Sequence, residues 1–208
     1  MTPINISEEV GYINTVVKNV RNVNTRDFKP FFDDLNDADC IVLIGEGRSQ
    51  SALYIGMGQM KKEVKTVIDI DFPGRNILEA APILEEKYER IALLVNSGSG
   101  ETTTPKIVVK QLSDYIERTK SDKFTIDAVV SNRNSSIGQV GEKEYGHIVE
   151  LEGREEIPPD TLNEFLKHGI MNDIYELSSL LLFQKTKEAI NENKDDKAVF
   201  KKIEEESA

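Results

Sequence analysis

The sequence has few of the residues that build cross-links, cysteine metal centres or membrane spans. It contains one cysteine, Cys40, and no tryptophan. A single thiol cannot form an internal disulfide or a cysteine-based metal site, so a reducing cytoplasm suits the chain best. The longest apolar runs, such as 41–44 and 91–95, are far shorter than the about 20 residues that a membrane helix needs. The polar start at residues 7–9 also differs from a signal peptide.

Positive charge is outnumbered by negative charge. The chain has 26 Lys and Arg against 37 Asp and Glu, for a net charge of −11 at pH 7. This field repels phosphate backbones and anionic membranes, so we expect no nucleic-acid and no membrane partner. An anionic ligand would have to be held by local groups. A chain of 208 residues is long enough to build a full core without disulfides or structural metal.

An amphipathic helix is predicted at the start of the chain, ending near Asn24. Its apolar residues recur at three- and four-residue spacing: Ile6, Val10, Ile13, Val17 and Val20. From Cys40 onward, short apolar runs alternate with helical segments. This alternation is typical of a parallel α/β sheet.

Five strands and four intervening helical segments are predicted in this part of the chain. The strands cover residues 41–44, 64–69, 91–95, 124–130 and 147–151. The helices cover residues 49–60, 76–88 with an interruption at Pro82, 105–119 and a short piece after Ser136.

The pattern changes again after the fifth strand. Pro158 and Pro159 end the alternation, and Asp160 or Thr161 could cap a long helix that runs to about Lys187. We therefore divide the chain into a helical flank (1–36), a sheet domain (37–151), a C-terminal helical segment (152–190) and a charged tail (191–208). The tail is predicted to be a solvated helix or frayed.

Two loops rich in glycine and hydroxyl residues follow the first and third predicted strands, at residues 45–51 and 96–105. In the common strand order 2-1-3-4-5 these strands are neighbours at the point where the order reverses, which is where ligands bind in open sheets. Glycines admit an anion, hydroxyls donate hydrogen bonds, and the next helix presents free N–H groups. The loops predict a phosphate site without lysine, although tight turns alone could explain either loop.

The first loop also permits a dinucleotide interpretation. Gly45 and Gly47 follow a strand, and Asp69 ends the next strand, as in a dinucleotide-binding fingerprint. The third glycine position holds Gln50, whose bulk opposes the close helix packing that this glycine serves. This alternative is therefore the weaker one.

The two loops together resemble the sugar isomerase (SIS) domain family, with most similarity to its 6-phospho-3-hexuloisomerase group. The resemblance rests on residues 47–49 and 97–102 and extends over about 37–151. It implies a three-layer αβα sandwich with a five-stranded parallel sheet and flanking helices. It also implies binding of sugar phosphates without a cofactor or metal, and assembly as a homodimer or homotetramer.

The resemblance also implies which residues contact the ligand. Hydroxyls would contact the phosphate or the sugar, and the neighbouring glycines and arginine would shape the site. The expected substrate-binding residues are Gly47, Arg48, Ser49, Ser97, Gly98, Ser99, Gly100, Thr102 and, from a third loop, Ser135.

The family's general base is usually a glutamate on the helix after the fifth strand, which the resemblance places at Glu164. His168 follows four residues later, on the same helix face, and resembles the histidine that opens the sugar ring in aminosugar relatives. Those relatives place the base farther upstream, near Glu152. An exposed Glu/His pair without a catalytic role is the alternative. His147 is expected to be packed or hydrogen-bonded.

These residues predict a phosphosugar isomerase, acting as an aldose–ketose or ketose–ketose isomerase. It would move a carbonyl between adjacent carbons through an enediolate, with Glu164 transferring the proton. The alternative is a non-catalytic sensor that binds the same ligand and signals through the flanking helices. Fold cannot decide between the two, because function depends on the site.

Overall fold

The computed structural model describes residues 6–67, 72–152 and 174–206. The helices are α1 (Ile6–Arg21), α2 (Thr25–Asp37), α3 (Gly47–Met57), α4 (Ile77–Lys87), α5 (Thr103–Thr119), α6 (Ile174–Asn191) and α7 (Asp196–Glu206). The strands are β1 (Cys40–Gly45), β2 (Glu63–Thr66), β3 (Ile91–Ser97), β4 (Phe124–Val130) and β5 (Gly146–Glu150). A short 3-10 helix covers Gly138–Glu142.

The five strands form one parallel sheet in the order β2-β1-β3-β4-β5. Strands β1 and β3 are buried along their whole length, as expected when helices cover both faces. Residues that alternate along β1 point to opposite sides: Val42 and Ile44 pack with α4 and α5, while Ile41 and Leu43 pack with α2, α3, α6 and α7. The predicted three-layer αβα sandwich and its strand order are confirmed.

Helix α4 runs without a break through Pro82, contrary to the predicted interruption. The Asn76 side chain accepts hydrogen bonds from the N–H groups of Leu78 and Glu79 and so caps the helix. Pro82 is exposed, and the helix continues to Lys87. Capping and burial of the apolar face therefore outweigh the hydrogen bond that proline removes.

Helix α2 lies in the predicted helical flank (1–36), but it was not predicted as a separate helix. Its N-terminus is capped by the Asn24 side chain, which accepts a hydrogen bond from Arg26 N. Phe28, Phe31 and Leu35 are fully buried on its inner side. These three side chains fix α2 against the sheet next to β5.

Helix α7 lies within the segment predicted to be a solvated or frayed tail. The segment is helical, but its apolar side is not solvated. Val199 and Ile203 are buried, and the Phe200 ring meets Phe28 edge-on with centroids 4.9 Å apart. The apolar side of α7 thus packs on α2 and belongs to the core.

The flanking helices α1 and α6 contact each other. Val16 on α1 is buried with Ile174 on α6, and Val20 joins the larger core. Part of the apolar stripe of α1 is therefore covered within the chain. The predicted helix 161–187 is described from Ile174 onward and extends to Asn191. None of the described helices has the length and apolar character to cross a membrane.

Candidate functional site

The loops after β1 and β3 lie side by side, as predicted. Gly45 and Asn96 are partners in the parallel register. The Asn96 side-chain amide donates to the Ser49 carbonyl at 2.8 Å, and Thr104 N donates to Glu46 Oε2 at 3.3 Å. We call residues 45–51 and 96–105 the two-loop site.

Two helices begin in this site with unusual N-termini. The side chains of Asn24 and Asn76 cap α2 and α4. In the part of the chain that the structure describes, Glu46 makes no such bond to α3 and Thr102 makes none to α5, although the Glu46 carboxylate accepts a hydrogen bond from Thr104 N of α5. Both helices also lack an acidic residue in the first turn. Their first-turn N–H groups and positive dipole ends therefore favour an anion at this edge of the sheet.

The predicted hydroxyl groups line the second loop. Ser97 Oγ and Thr102 Oγ1 lie 3.0 Å apart in a hydrogen bond. Ser99 is exposed, and its Oγ accepts a hydrogen bond from Glu101 N at 3.1 Å. Three hydroxyls are thus held within one short loop. One of Ser97 and Thr102 donates to the other, so the protons left for a ligand are that of Ser99 and that of the accepting member of the pair.

Gly100 joins the second loop to the third. Its φ is +65°, a conformation that L side chains rarely adopt, and a Cβ at this position would overlap the Ser135 hydroxyl. Ser135 is buried, and its Oγ accepts from Gly138 N at 3.1 Å. Ser135 therefore supports the loop in this structure.

Glu101 binds the second and third loops together. Its carboxylate accepts from the Ser136 N–H at 2.6 Å and the Ser136 hydroxyl at 2.8 Å, and it pairs with Lys106 at 3.0 Å. These bonds, led by the one from the backbone N–H, lower the pKa of Glu101 to about 2. The loop is held in place by an ionised carboxylate.

Of the remaining residues predicted in the first loop, Gly47 has a φ of +60° and Arg48 is exposed. Ser49 is buried, only 8% of its surface being accessible. Its hydroxyl donates to Glu176 Oε1 at 3.2 Å. Glu176 lies in the first turn of α6 and brings a carboxylate to the two-loop site that the sequence analysis did not identify.

A buried hydrogen-bond network places α6 against this site. The Tyr175 hydroxyl lies 2.7 Å from both Asn96 Oδ1 and the Val129 carbonyl. The amide of Asn96 donates to Ser179 Oγ at 3.1 Å as well as to Ser49. Burial raises the pKa of Tyr175 well above its usual value, so its hydroxyl stays a donor. The sequence analysis missed this network because its members lie far apart in the chain.

The predicted catalytic pair Glu164 and His168 lies outside the described residues. Glu152 is exposed just after β5. Its backbone is fixed by Asn19, whose side chain accepts from Glu152 N at 2.8 Å and donates to Glu152 O at 3.1 Å. His147 is hydrogen-bonded, as expected, with its Nδ1 2.6 Å from Asp34 Oδ2.

Comparisons with known proteins bear on the fold. No family model matches the chain, and no curated protein matches it. A solved structure from Methanococcus jannaschii, for which a 3-hexulose-6-phosphate isomerase function was inferred, is 17% identical, with a TM-score of 0.56 over 93% of this chain and 96% of that one.

Two further solved structures are similar. The sugar isomerase domain of an RpiR transcription factor from Sphaerobacter thermophilus is 9% identical, with a TM-score of 0.58 over 96% of this chain and 97% of that one. The Vibrio vulnificus NanR protein complexed with ManNAc-6P is 11% identical, with a TM-score of 0.59 over 100% of this chain and 68% of that one. The resemblance deduced from the two loops is confirmed at the level of structure: the chain has the fold of sugar isomerase domains.

Proposed function

We propose that the chain is a phosphosugar isomerase that holds the phosphate of its substrate in the two-loop site. The observation that carries this proposal is the convergence of two helix N-termini, those of α3 and α5, at one edge of the sheet. The hydroxyls of Ser97, Ser99 and Thr102 lie beside them. Hydrogen bonds from N–H and O–H groups to an ionised oxygen are stronger than neutral ones.

Local binding of this kind suits an acidic chain. A net charge of −11 repels phosphate at long range, so affinity depends on donors at the site. Arg48 is exposed in the first loop, where its guanidinium could form paired hydrogen bonds with phosphate oxygens. A sugar phosphate fixed at its phosphate end would present its carbonyl carbons for proton transfer in a defined position.

The proposed reaction is a proton shift through an enediolate. Glu164 removes the proton beside the carbonyl and returns it to the neighbouring carbon, while the hydroxyl proton moves to the former carbonyl oxygen. His168 assists ring opening or protonates oxygen. A positioned base of this kind contributes about 10²- to 10⁴-fold to the rate. Glu152 remains an alternative base. Glu176 is a second alternative, because its carboxylate accepts a hydrogen bond from Ser49 within the site. The proton shift uses side-chain acids and bases and requires no organic cofactor.

A second function, a sensor that binds a sugar phosphate without turnover, is favoured by the structural neighbours. One of them is a domain of a transcription factor, and another is complexed with a sugar phosphate. Helix α6 contacts both α3 of the site and α1 at the outer side. Ligand occupancy could therefore reach the flanking helices.

Proton exchange separates the two functions. In deuterated water, NMR spectroscopy of a bound sugar phosphate should show solvent deuterium at the carbon beside the carbonyl for the wild type. E164Q should slow exchange at least about 100-fold while affinity is kept, and E152Q and E176Q test the two alternative bases. Tight binding without any exchange in the wild type would identify a sensor. Undiminished exchange in E164Q with loss of exchange in E152Q or E176Q would assign the base to Glu152 or Glu176.

We also propose that the protein is located in a reducing cytoplasm. Cys40 is fully buried in β1, and burial raises the pKa of its thiol to about 11. The thiolate needed for oxidation or disulfide exchange is therefore scarce at neutral pH.

A further inference from the structure

Three ligand-type side chains meet on the α2 side of the sheet, away from the two-loop site. They are Asp34 on α2, Asp127 on β4 and His147 on β5. One ligand atom from each lies within 4.8 Å of the others. Asp127 and His147 are partners in the strand register, and Asp34 Oδ2 lies 2.6 Å from His147 Nδ1. The sequence analysis did not find this group because its members belong to three separate elements.

Asp127 is incompletely satisfied in this group. Its side chain is fully buried, and Oδ1 has no hydrogen-bond partner among the described residues. That atom faces His147 Nδ1 at 3.7 Å, while Oδ2 accepts a hydrogen bond from the Thr125 hydroxyl at 2.8 Å. A buried carboxylate oxygen without a partner is costly and requires an explanation.

The charge of the group suits a divalent cation. Two carboxylates carry a charge of −2 in a site where Asp127 is fully buried and Asp34 and His147 are mostly buried. Two carboxylates, a neutral histidine and a divalent ion are together neutral. Buried charge is tolerated when it is paired or coordinates a metal.

The geometry points to a binding site for one divalent transition metal, best matched by Zn²⁺, with Asp34, Asp127 and His147 as ligands. Zinc binds carboxylate oxygen and imidazole nitrogen at about 2.0–2.2 Å, which places tetrahedral ligand atoms about 3.3 Å apart. The distances of His147 Nδ1 to the two carboxylates, 2.6 and 3.7 Å, fall on either side of this value. Small side-chain rotations would equalise them.

The surroundings fit a metal site that stabilises the fold. Thr125 orients the Asp127 carboxylate from outside, as outer hydrogen bonds to metal ligands do. A cleft of about 220 Å³ lies beside the group and is lined by Asp34 and Thr125, together with the basic residues Arg90 and Lys123. The ion would join α2 to the neighbouring strands β4 and β5.

The test uses Co²⁺ and Zn²⁺ on chelator-treated full-length protein. We expect one equivalent of Co²⁺ to give a visible ligand-field absorption that Zn²⁺ displaces, and saturating Zn²⁺ to raise the unfolding temperature by about 5 °C. D127N and H147Q should abolish both signals. Two control variants should keep both signals: D33N, which changes an exposed acid on α2, and H168Q, which changes the other histidine.

Two results would overturn the site. If the wild type shows no saturable absorption and no Zn²⁺-dependent thermal shift, the three side chains form a cluster of charged groups that binds no metal. Signals that persist in both D127N and H147Q would place the metal elsewhere. If those variants do not fold, D34N provides the test, because Asp34 is partly exposed; it should weaken Co²⁺ binding at least tenfold, and unchanged binding would refute the assignment. None of these readouts depends on sugar-phosphate binding.

Discussion

The Glu46 carboxylate accepts a hydrogen bond from Thr104 N, in the first turn of α5, at 3.3 Å. Glu46 belongs to the loop after β1, so this bond crosses the two-loop site. It places the chain's own negative charge at a helix N-terminus that favours anions. A phosphate bound there would compete with Glu46 for the same donor.

We therefore predict that E46Q binds sugar phosphates more tightly than the wild type. The substitution removes a like charge, whose repulsion at 4 Å is about 1 kcal/mol in water and larger near a protein surface. The dissociation constant should fall by about 5- to 50-fold, measured by titration calorimetry. E142Q, at an exposed glutamate of the 3-10 helix, should bind like the wild type. Equal or weaker binding by E46Q would show that Glu46 does not compete with the ligand.

Y175F should destabilise the protein. The hydroxyl has one proton, which Asn96 Oδ1 and the Val129 carbonyl compete for, so its loss leaves one buried acceptor without that donor. An unsatisfied buried group costs about 1–3 kcal/mol, so the free energy of unfolding in urea should fall by that amount. Y54F is the matched control, because the Tyr54 hydroxyl only accepts a bond from Gln50 in a half-buried position. Equal losses of unfolding free energy in Y175F and Y54F would contradict the prediction that the buried network stabilises the fold.

The acid sensitivity of the loops should depend on Glu101. Hydrogen bonds from Ser136 and Lys106 lower its pKa in the folded state to about 2, below the usual 4.5. Its contribution to stability is therefore fully present above pH 4.5 and is lost as the pH falls toward 2. The difference in unfolding temperature between wild type and E101Q should be constant near neutral pH and shrink across that range. E144Q, an exposed control, should follow the wild type, and a pH-independent difference for E101Q would contradict the assignment.

Helix α1 is predicted to contribute to a dimer. Its apolar stripe is partly covered by α6, yet Ile13 is 59% exposed. A further apolar surface at this position favours self-association. Light scattering at micromolar concentration should give a dimer or tetramer for the wild type and a smaller species for I13E. I107E, at an exposed isoleucine of α5, should keep the wild-type mass. A monomeric wild type would contradict this prediction.

The sheet and the placement of the two loops followed from the sequence, because short apolar runs bounded by glycine and charge have few other interpretations. Predicted strand 124–130 coincides with β4. Once β1 and β3 are neighbours, the loops that follow them must meet. The phosphate-site prediction thus needed only the strand order and the residues of two short segments.

Other features depended on signals that were weak or not local. Helix α2 contains Pro30 and several acids, which obscure its helical pattern in the sequence, although Phe28, Phe31 and Leu35 follow helical spacing. The tail looked solvated because its charges outnumber its apolar residues, yet Val199 and Ile203 are enough to dock it. Asn96, Tyr175 and Glu176 come together only through tertiary packing, which no local pattern reveals.

Binding of a sugar phosphate to S97A/S99A tests the central claim most directly. Each charge-assisted hydrogen bond contributes about 1.5–3 kcal/mol, so losing two should raise the dissociation constant by about 100-fold or more. The double variant S113A/S121A, at hydroxyls beside Tyr145 and Glu85 far from the two-loop site, provides the control and should bind like the wild type. Titration calorimetry with the preferred sugar phosphate measures all three proteins. The account predicts a large loss of affinity for S97A/S99A alone, and unchanged affinity in that variant would contradict it.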